Sequence, residues 1–179
     1  FNIAENHHFD ALVGYEIDDL YSDYLYGYAS NFATYEEQAI DNGMTLESLG
    51  GSDSRARMVS YVSRLNYDYK NKYYLGASFR ADASSRLHRD NRWGNFWSVS
   101  GAWKISEEGF MANAKHWLSD LKLRMSYGVN GTLPSDYYGY MGLTGLSNGF
   151  LGQPGMLLSQ IENKNLQWET NYNFNVGLD

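Results

Sequence analysis

This 179-residue chain contains no cysteine, which removes thiol and disulfide chemistry and leaves carboxylates, histidines, basic side chains and tyrosines as the groups that could do chemistry. Glu107 with Glu108, or Asp82 with Asp90, could be paired as acid and base in glycoside hydrolysis, which needs two carboxyl groups at a fixed separation. Nothing in their spacing fixes one, and no nucleophile elbow, phosphate loop, zinc spacing or paired-cysteine motif is present. An enzyme is therefore not expected, nor a cofactor. His7, His8 and Asp10 stand close enough to suggest a metal, but no further ligand cluster has a fitting spacing, and they read as a wetted strand entrance. Better organised are Arg64, Asp68, Arg80, Asp82, Lys104, Lys122 and Arg124, all even-numbered within alternating stretches. Trp93, Tyr137, Tyr138 and Tyr140 lie in polar or glycine-rich stretches, where flat amphipathic rings suit sugar stacking.

The charges are positioned by strands. From Val59 to Tyr69 the odd positions hold Val59, Tyr61, Ser63, Leu65, Tyr67 and Tyr69, and the even ones Ser60, Val62, Arg64, Asn66 and Asp68. That is a period of two. After Lys70-Asn71-Lys72 it resumes as Tyr73, Leu75, Ala77, Phe79 and Ala81, so a three-residue connection makes a hairpin pairing Tyr69 with Tyr73 and Leu65 with Ala77. The same parity recurs over Trp97 to Ile105 and Leu121 to Asn130. A first strand fits His8 to Asp18, and a last one, Leu166 to Asp179, switches parity after a long connection. No charge interrupts the apolar row of the four middle strands.

Such segregation suits either a soluble sandwich with a second sheet on the apolar face or a barrel with lipid there. Length favours the barrel: these strands run about ten residues, against roughly five or six in soluble sheets, and about nine to eleven cross a bilayer. Tyr67, Tyr69, Tyr73 and Tyr74 crowd one end of the hairpin, where an interfacial girdle would sit, although a buried aromatic cluster would read the same.

Between strands, periodicity is lost from Asp19 to Arg55, which reads as a long loop with a helical turn around Tyr35 to Ile40. Ser84 to Asn95 is a second loop carrying Arg86, Arg89, Asp90, Arg92 and Trp93, which could meet a sugar or an anion or could order itself through ion pairs. Asn130 to Lys164, with Gly142, Gly145, Gly149, Gly152 and Gly155, is a third. If the short Lys70–Lys72 turn is periplasmic, these three are extracellular. Ser106 to Asp120 has Phe110, Met111, Ala114, Trp117 and Leu118 at helical spacing, predicting one short amphipathic helix at the periplasmic rim, although Gly109 stands where a capping box wants Glu.

Composition sets the bounds. A net charge of −7 gives no basic footprint for nucleic acid. No stretch approaches eighteen apolar residues, which excludes a helical span and not a barrel.

The segments Arg64-Leu-Asn-Tyr-Asp-Tyr, Arg80-Ala-Asp-Ala-Ser-Ser-Arg86, Arg92-Trp-Gly-Asn-Phe96, Gly101-Ala-Trp-Lys-Ile-Ser-Glu-Glu-Gly-Phe110, Leu121-Lys-Leu-Arg-Met-Ser-Tyr-Gly128 and Asn165-Leu-Gln-Trp-Glu169, in that order, resemble the barrel of SusC/RagA-type TonB-linked outer-membrane transporters. Ala83 and Leu87 depart from it, standing where the family usually has Gly and Phe. The resemblance implies an all-β, antiparallel up-and-down transmembrane barrel of about twenty-two strands, of which 1–179 would supply about six, the plug domain and remaining strands lying elsewhere in a longer chain. It implies import of oligosaccharides or peptides across the outer membrane, with TonB acting through the plug region and a SusD-like surface lipoprotein as lid. Arg64, Arg80, Asp82, Lys104 and Arg124 would then line the lumen and help hold the plug, and Trp93, Tyr137, Tyr138 and Tyr140 would lie nearest substrate or lid. The alternative is a soluble or surface all-β module that binds glycan through its tryptophan and tyrosine loops.

Overall fold

The computed structural model describes residues 6–34, 36, 38–114, 116–147, 153 and 155–179. Its strands are β1 (His7–Phe32), β2 (Gly43–Tyr69), β3 (Tyr73–Ser84), β4 (Trp93–Lys104), β5 (Lys122–Thr132), β6 (Leu143–Ser147), β7 (Gly155–Gln160) and β8 (Glu169–Leu178). Six form one antiparallel sheet in the order β1-β2-β3-β4-β5-β8, and β6 with β7 forms a separate hairpin. The chain divides into two compact units, 1–18 with 57–179, and 19–56.

In the larger unit the sequence parity becomes two faces. Tyr69 faces Tyr73 and Leu65 faces Ala77, as the hairpin requires. The turn closes because Lys70 and Asn71 both adopt φ 55°, left-handed conformations that suit a tight hairpin, and the Lys72 amide bonds the Tyr69 carbonyl at 3.0 Å. The register then carries one apolar line across five strands, Leu65–Ala77–Val99–Tyr127–Phe174. One step along, a polar line runs Arg64–Ser78–Ser98–Gly128–Asn173. Even-numbered Phe174 lies on the odd apolar line, so the long connection before β8 absorbs the switch of parity.

Burial separates the faces in the opposite sense to a soluble sheet. Leu75 is 58% exposed, Val99 48% and Phe174 64%, whereas on the polar face Ser60 is 1% exposed and Asp82 6%. A sandwich would cover the apolar row with a second sheet; among the described residues nothing does. An apolar face of this extent is not left to water.

Three expectations change. Asp19 to Arg55 is largely strand: β1 continues to Phe32 and β2 begins at Gly43, joined by a ten-residue connection that includes the 3-10 turn Ile40–Asn42. Tyr35 and Glu37, in the expected helical turn, lie outside the described residues. The alternation was hidden because this unit is exposed on both faces, Tyr24 and Leu25 alike, so neither row had to be apolar. Polar pairs hold it: Arg55 reaches both Asp19 carboxylate oxygens at 2.8 and 2.5 Å, and Asn31 Nδ2 donates to Thr45 Oγ1 at 2.9 Å.

The amphipathic helix expected over Ser106 to Asp120 is instead two 3-10 segments, Ile105–Glu107 and Gly109–Ala114. Without a cap at Gly109 the segment is too short to nucleate an α-helix on propensity alone. The third connection is not wholly loop, since it holds the β6–β7 hairpin; Gly149 and Gly152 lie outside the described residues.

Candidate functional site

The polar face of the larger unit opens onto a hollow of about 630 Å³ lined by Asp10, Asn66, Ser100, Arg124, Ser126 and Asn175, among others. Small residues keep its floor low: a Cβ on Gly76 would stand 2.6 Å from Ser100 Oγ and 3.3 Å from Asn66 Oδ1, both of which line the hollow.

Around this hollow the five charges expected on the wall fall into separate groups. Arg80 Nε donates to both Asp82 oxygens at 2.7 and 2.8 Å, while its Nη2 reaches Ser60 Oγ at 2.9 Å and Glu16 Oε2 at 3.2 Å. Asp82 is thus buried with its charge matched, the condition under which a carboxylate survives burial. Arg124 Nη2 bonds Asp179 at 2.6 Å. Lys104 lies 3.8 Å from Glu107 and 4.0 Å from Asp120, at the strand's end. Arg64 is exposed and makes no ion pair among the described residues. His7 Nδ1 lies 2.8 Å from the Tyr67 hydroxyl, and Asp10 accepts from Asn66 at 3.2 Å.

At the other strand ends the loops interlock. Leu87 is fully buried. Arg86 lies over the Tyr137 ring at 4.3 Å and donates to the Pro134 carbonyl at 3.4 Å. His88 meets the Tyr140 ring edge-on at 5.9 Å, Asn91 donates to the Lys164 carbonyl, and the Trp168 indole donates to the Arg92 carbonyl. Tyr137 and Tyr140 therefore join the loops, while Tyr138 stands 36% exposed.

Trp93 is not in a loop. It opens β4 opposite Ala83, on the apolar row, with its ring stacked on Tyr61 at 6.0 Å and 14°. Tyr61 in turn packs against Tyr15 at 5.2 Å. At the opposite end Tyr69, Tyr73 and Trp103 form a second ring row, stacked at 6.3 and 6.4 Å. On β4 the ten steps from Trp93 to Trp103 span about 33 Å of strand, or about 25 Å of height at a tilt of about 40°, the height of the apolar band between the aromatic girdles of a membrane barrel.

An exposed apolar band between two aromatic rows, backed by a polar wall of matched charges, defines a segment of transmembrane β-barrel. The family model "TonB dependent receptor-like, beta-barrel" matches residues 2–179, and the chain belongs to that family, one of outer-membrane transporters and receptors rather than enzymes. It is 36% identical over 183 residues to TonB-dependent receptor P26 of Formosa agariphila, covering 99% of this chain and 18% of that protein. It is 38% identical over 133 residues to TonB-dependent receptor SusC of Bacteroides thetaiotaomicron, covering 70% of this chain and 13% of that one. The solved structure of the RagAB peptide transporter superposes with a TM-score of 0.88 at 31% identity, over 99% of this chain and 20% of that one. The chain spans a fifth or less of the length of these relatives.

Sequence parity placed Arg80 and Asp82 on one face but could not pair them with Glu16 and Ser60, which come from β1 and β2. Asp179 was legible as the last polar residue of the final strand; the structure places it just after β8, where its amide bonds the Lys122 carbonyl and its carboxylate reaches Arg124.

Proposed function

We propose that residues 1–179 form part of the wall of a SusC/RagA-type transporter in the outer membrane, which imports oligosaccharides or peptides without covalent chemistry. The exposed apolar row, on a sheet that superposes on a barrel wall, carries this reading. The remaining strands and the plug belong to the rest of a longer protein, TonB energises it through the plug region, and a SusD-like surface lipoprotein covers its outer mouth. One similar protein is named SusC and one solved neighbour is titled a peptide transporter, so both substrate classes stay in the proposal.

On this reading the polar face is the lumen wall. Arg80 and Asp82 stiffen it, Lys104 and Arg124 hold its periplasmic end, and Arg64, with no ion pair among the described residues, is the cation most available to the plug. Tyr138 is the loop tyrosine best placed to meet substrate or lid, Tyr137 and Tyr140 shape the loops behind it, and Trp93 marks the membrane boundary. The test is uptake of labelled oligosaccharides and labelled peptides by cells lacking the parent gene and by cells with it restored. Uptake of one class should vanish and return with the gene; unchanged uptake of both classes contradicts the proposal.

A further inference from the structure

The connection between β4 and β5, residues 105–121, is absorbed by neither the lumen wall nor the outer loops. Its Glu108 Oε1 accepts hydrogen bonds from the Tyr73 hydroxyl at 2.6 Å and the Trp103 indole N–H at 3.2 Å, and Oε2 lies 3.4 Å from Lys72 Nζ. Tyr73 and Trp103 face each other across β3 and β4, on the apolar row. Glu108 therefore ties the connection to the outward face of the wall, not to the lumen face. Its far end is tied back by Ser106, whose hydroxyl donates to Asp120 at 2.9 Å and whose amide bonds the Leu121 carbonyl at 3.2 Å. Between these ties Phe110 and Trp117 are each 69% exposed, while Met111, Ala114 and Leu118 are half-buried.

We propose that this connection is an interfacial foot, and that Phe110 and Trp117 enter the boundary between headgroups and acyl chains in the periplasmic leaflet. The proposal rests on the outer-membrane reading above. The occupant is phospholipid rather than protein because Glu108 bonds the foot directly to Tyr73 and Trp103, two rings of the girdle on the apolar row. Interfacial aromatics prefer that depth, and the Lys72 ammonium stands 3.4 Å from Glu108 of the foot, where lipid phosphates lie. Its 3-10 geometry suits a rim, since the ties to Tyr73 and Trp103 fix it in place of helical hydrogen bonds.

The full-length parent protein, with any cysteine outside 1–179 replaced by serine, would be placed in nanodiscs of phosphatidylethanolamine and phosphatidylglycerol doped with nitroxide-bearing phosphatidylcholine. Bimane would be attached at Phe110→Cys, at Trp117→Cys as a second foot position, and at Val99→Cys in mid-strand. The foot labels should be quenched about twofold more strongly by a nitroxide near the lipid carbonyl than by one near the acyl terminus, and should be shielded from iodide. Val99 should show the reverse depth preference. Foot labels quenched by iodide and not by lipid overturn the foot, as do foot labels quenched by neither, which would mean a covering protein; in both cases a lipid-quenched Val99 leaves the barrel standing. A Val99 label that no lipid quenches overturns the barrel reading and the foot with it.

Discussion

Leu87 shows what one side chain does for the outer loops. It is the one large apolar residue with no exposed surface among the described residues, and it sits in a run of otherwise polar residues, Ser84 to Asn91. Truncation to Ala should cost about 2–5 kcal/mol locally, the range for buried leucines. In the full-length protein this reads as faster amide hydrogen exchange over 85–92, with each tenfold acceleration worth about 1.4 kcal/mol of local opening. Unchanged exchange would mean that Arg86 on Tyr137 and Asn91 on Lys164 hold the loop without it. The sequence marked Leu87 only as a departure from a resemblance, since nothing local distinguishes an anchor from an exposed leucine. Trp93 was misplaced for a similar reason: the row reads Trp93, Asn95, Trp97, and the polar Asn95 breaks the alternation that would have extended β4 backward.

At the scale of elements, alternation was legible wherever one face had to be apolar and silent wherever both faces are wet. The registers of β2 with β3 and β3 with β4 follow from sequence because a one-residue slip would turn Leu75, Phe79 and Val99 to the polar side. The parts of β1 and β2 within 19–56 carry no such penalty, so Tyr24, Tyr26 and Tyr28, although on one row, looked like loop residues. In the β4–β5 connection helical spacing was real but not decisive, because Glu108 spends its carboxylate on Tyr73 and Trp103 instead of on a helix start. Those donors, the Tyr73 hydroxyl first, hold the Glu108 carboxyl below the usual glutamate range. A depressed carboxylate stabilises the tie above the pKa of the unfolded chain and loses that stabilisation as pH falls through its own. A spin label at Ala112→Cys should therefore gain mobility as the pH drops below the ordinary glutamate range, and Glu108→Gln should abolish that pH dependence. A label whose mobility is flat with acid in the unmodified background would show that the tie does not position the connection.

At the scale of the whole molecule, one alternation gives the paired strands of the larger unit's main sheet an apolar side and a polar side, which the proposed function makes the lipid and lumen sides. The edge strands β1 and β8 each present one unpaired side, which in hydrocarbon costs several kcal/mol per backbone group, so the sheet is stable in a membrane only when further strands continue it. The most direct test is a nitroxide scan of β5 in the reconstituted full-length protein, at Leu123, Arg124, Met125, Ser126, Tyr127 and Gly128, reading accessibility to oxygen and to a water-soluble nickel complex. Leu123, Met125 and Tyr127 should be open to oxygen and closed to nickel, and Arg124, Ser126 and Gly128 should show the reverse or be shielded by the plug. If Leu123, Met125 and Tyr127 were closed to both, that row would be buried against protein and the membrane-wall account would be wrong.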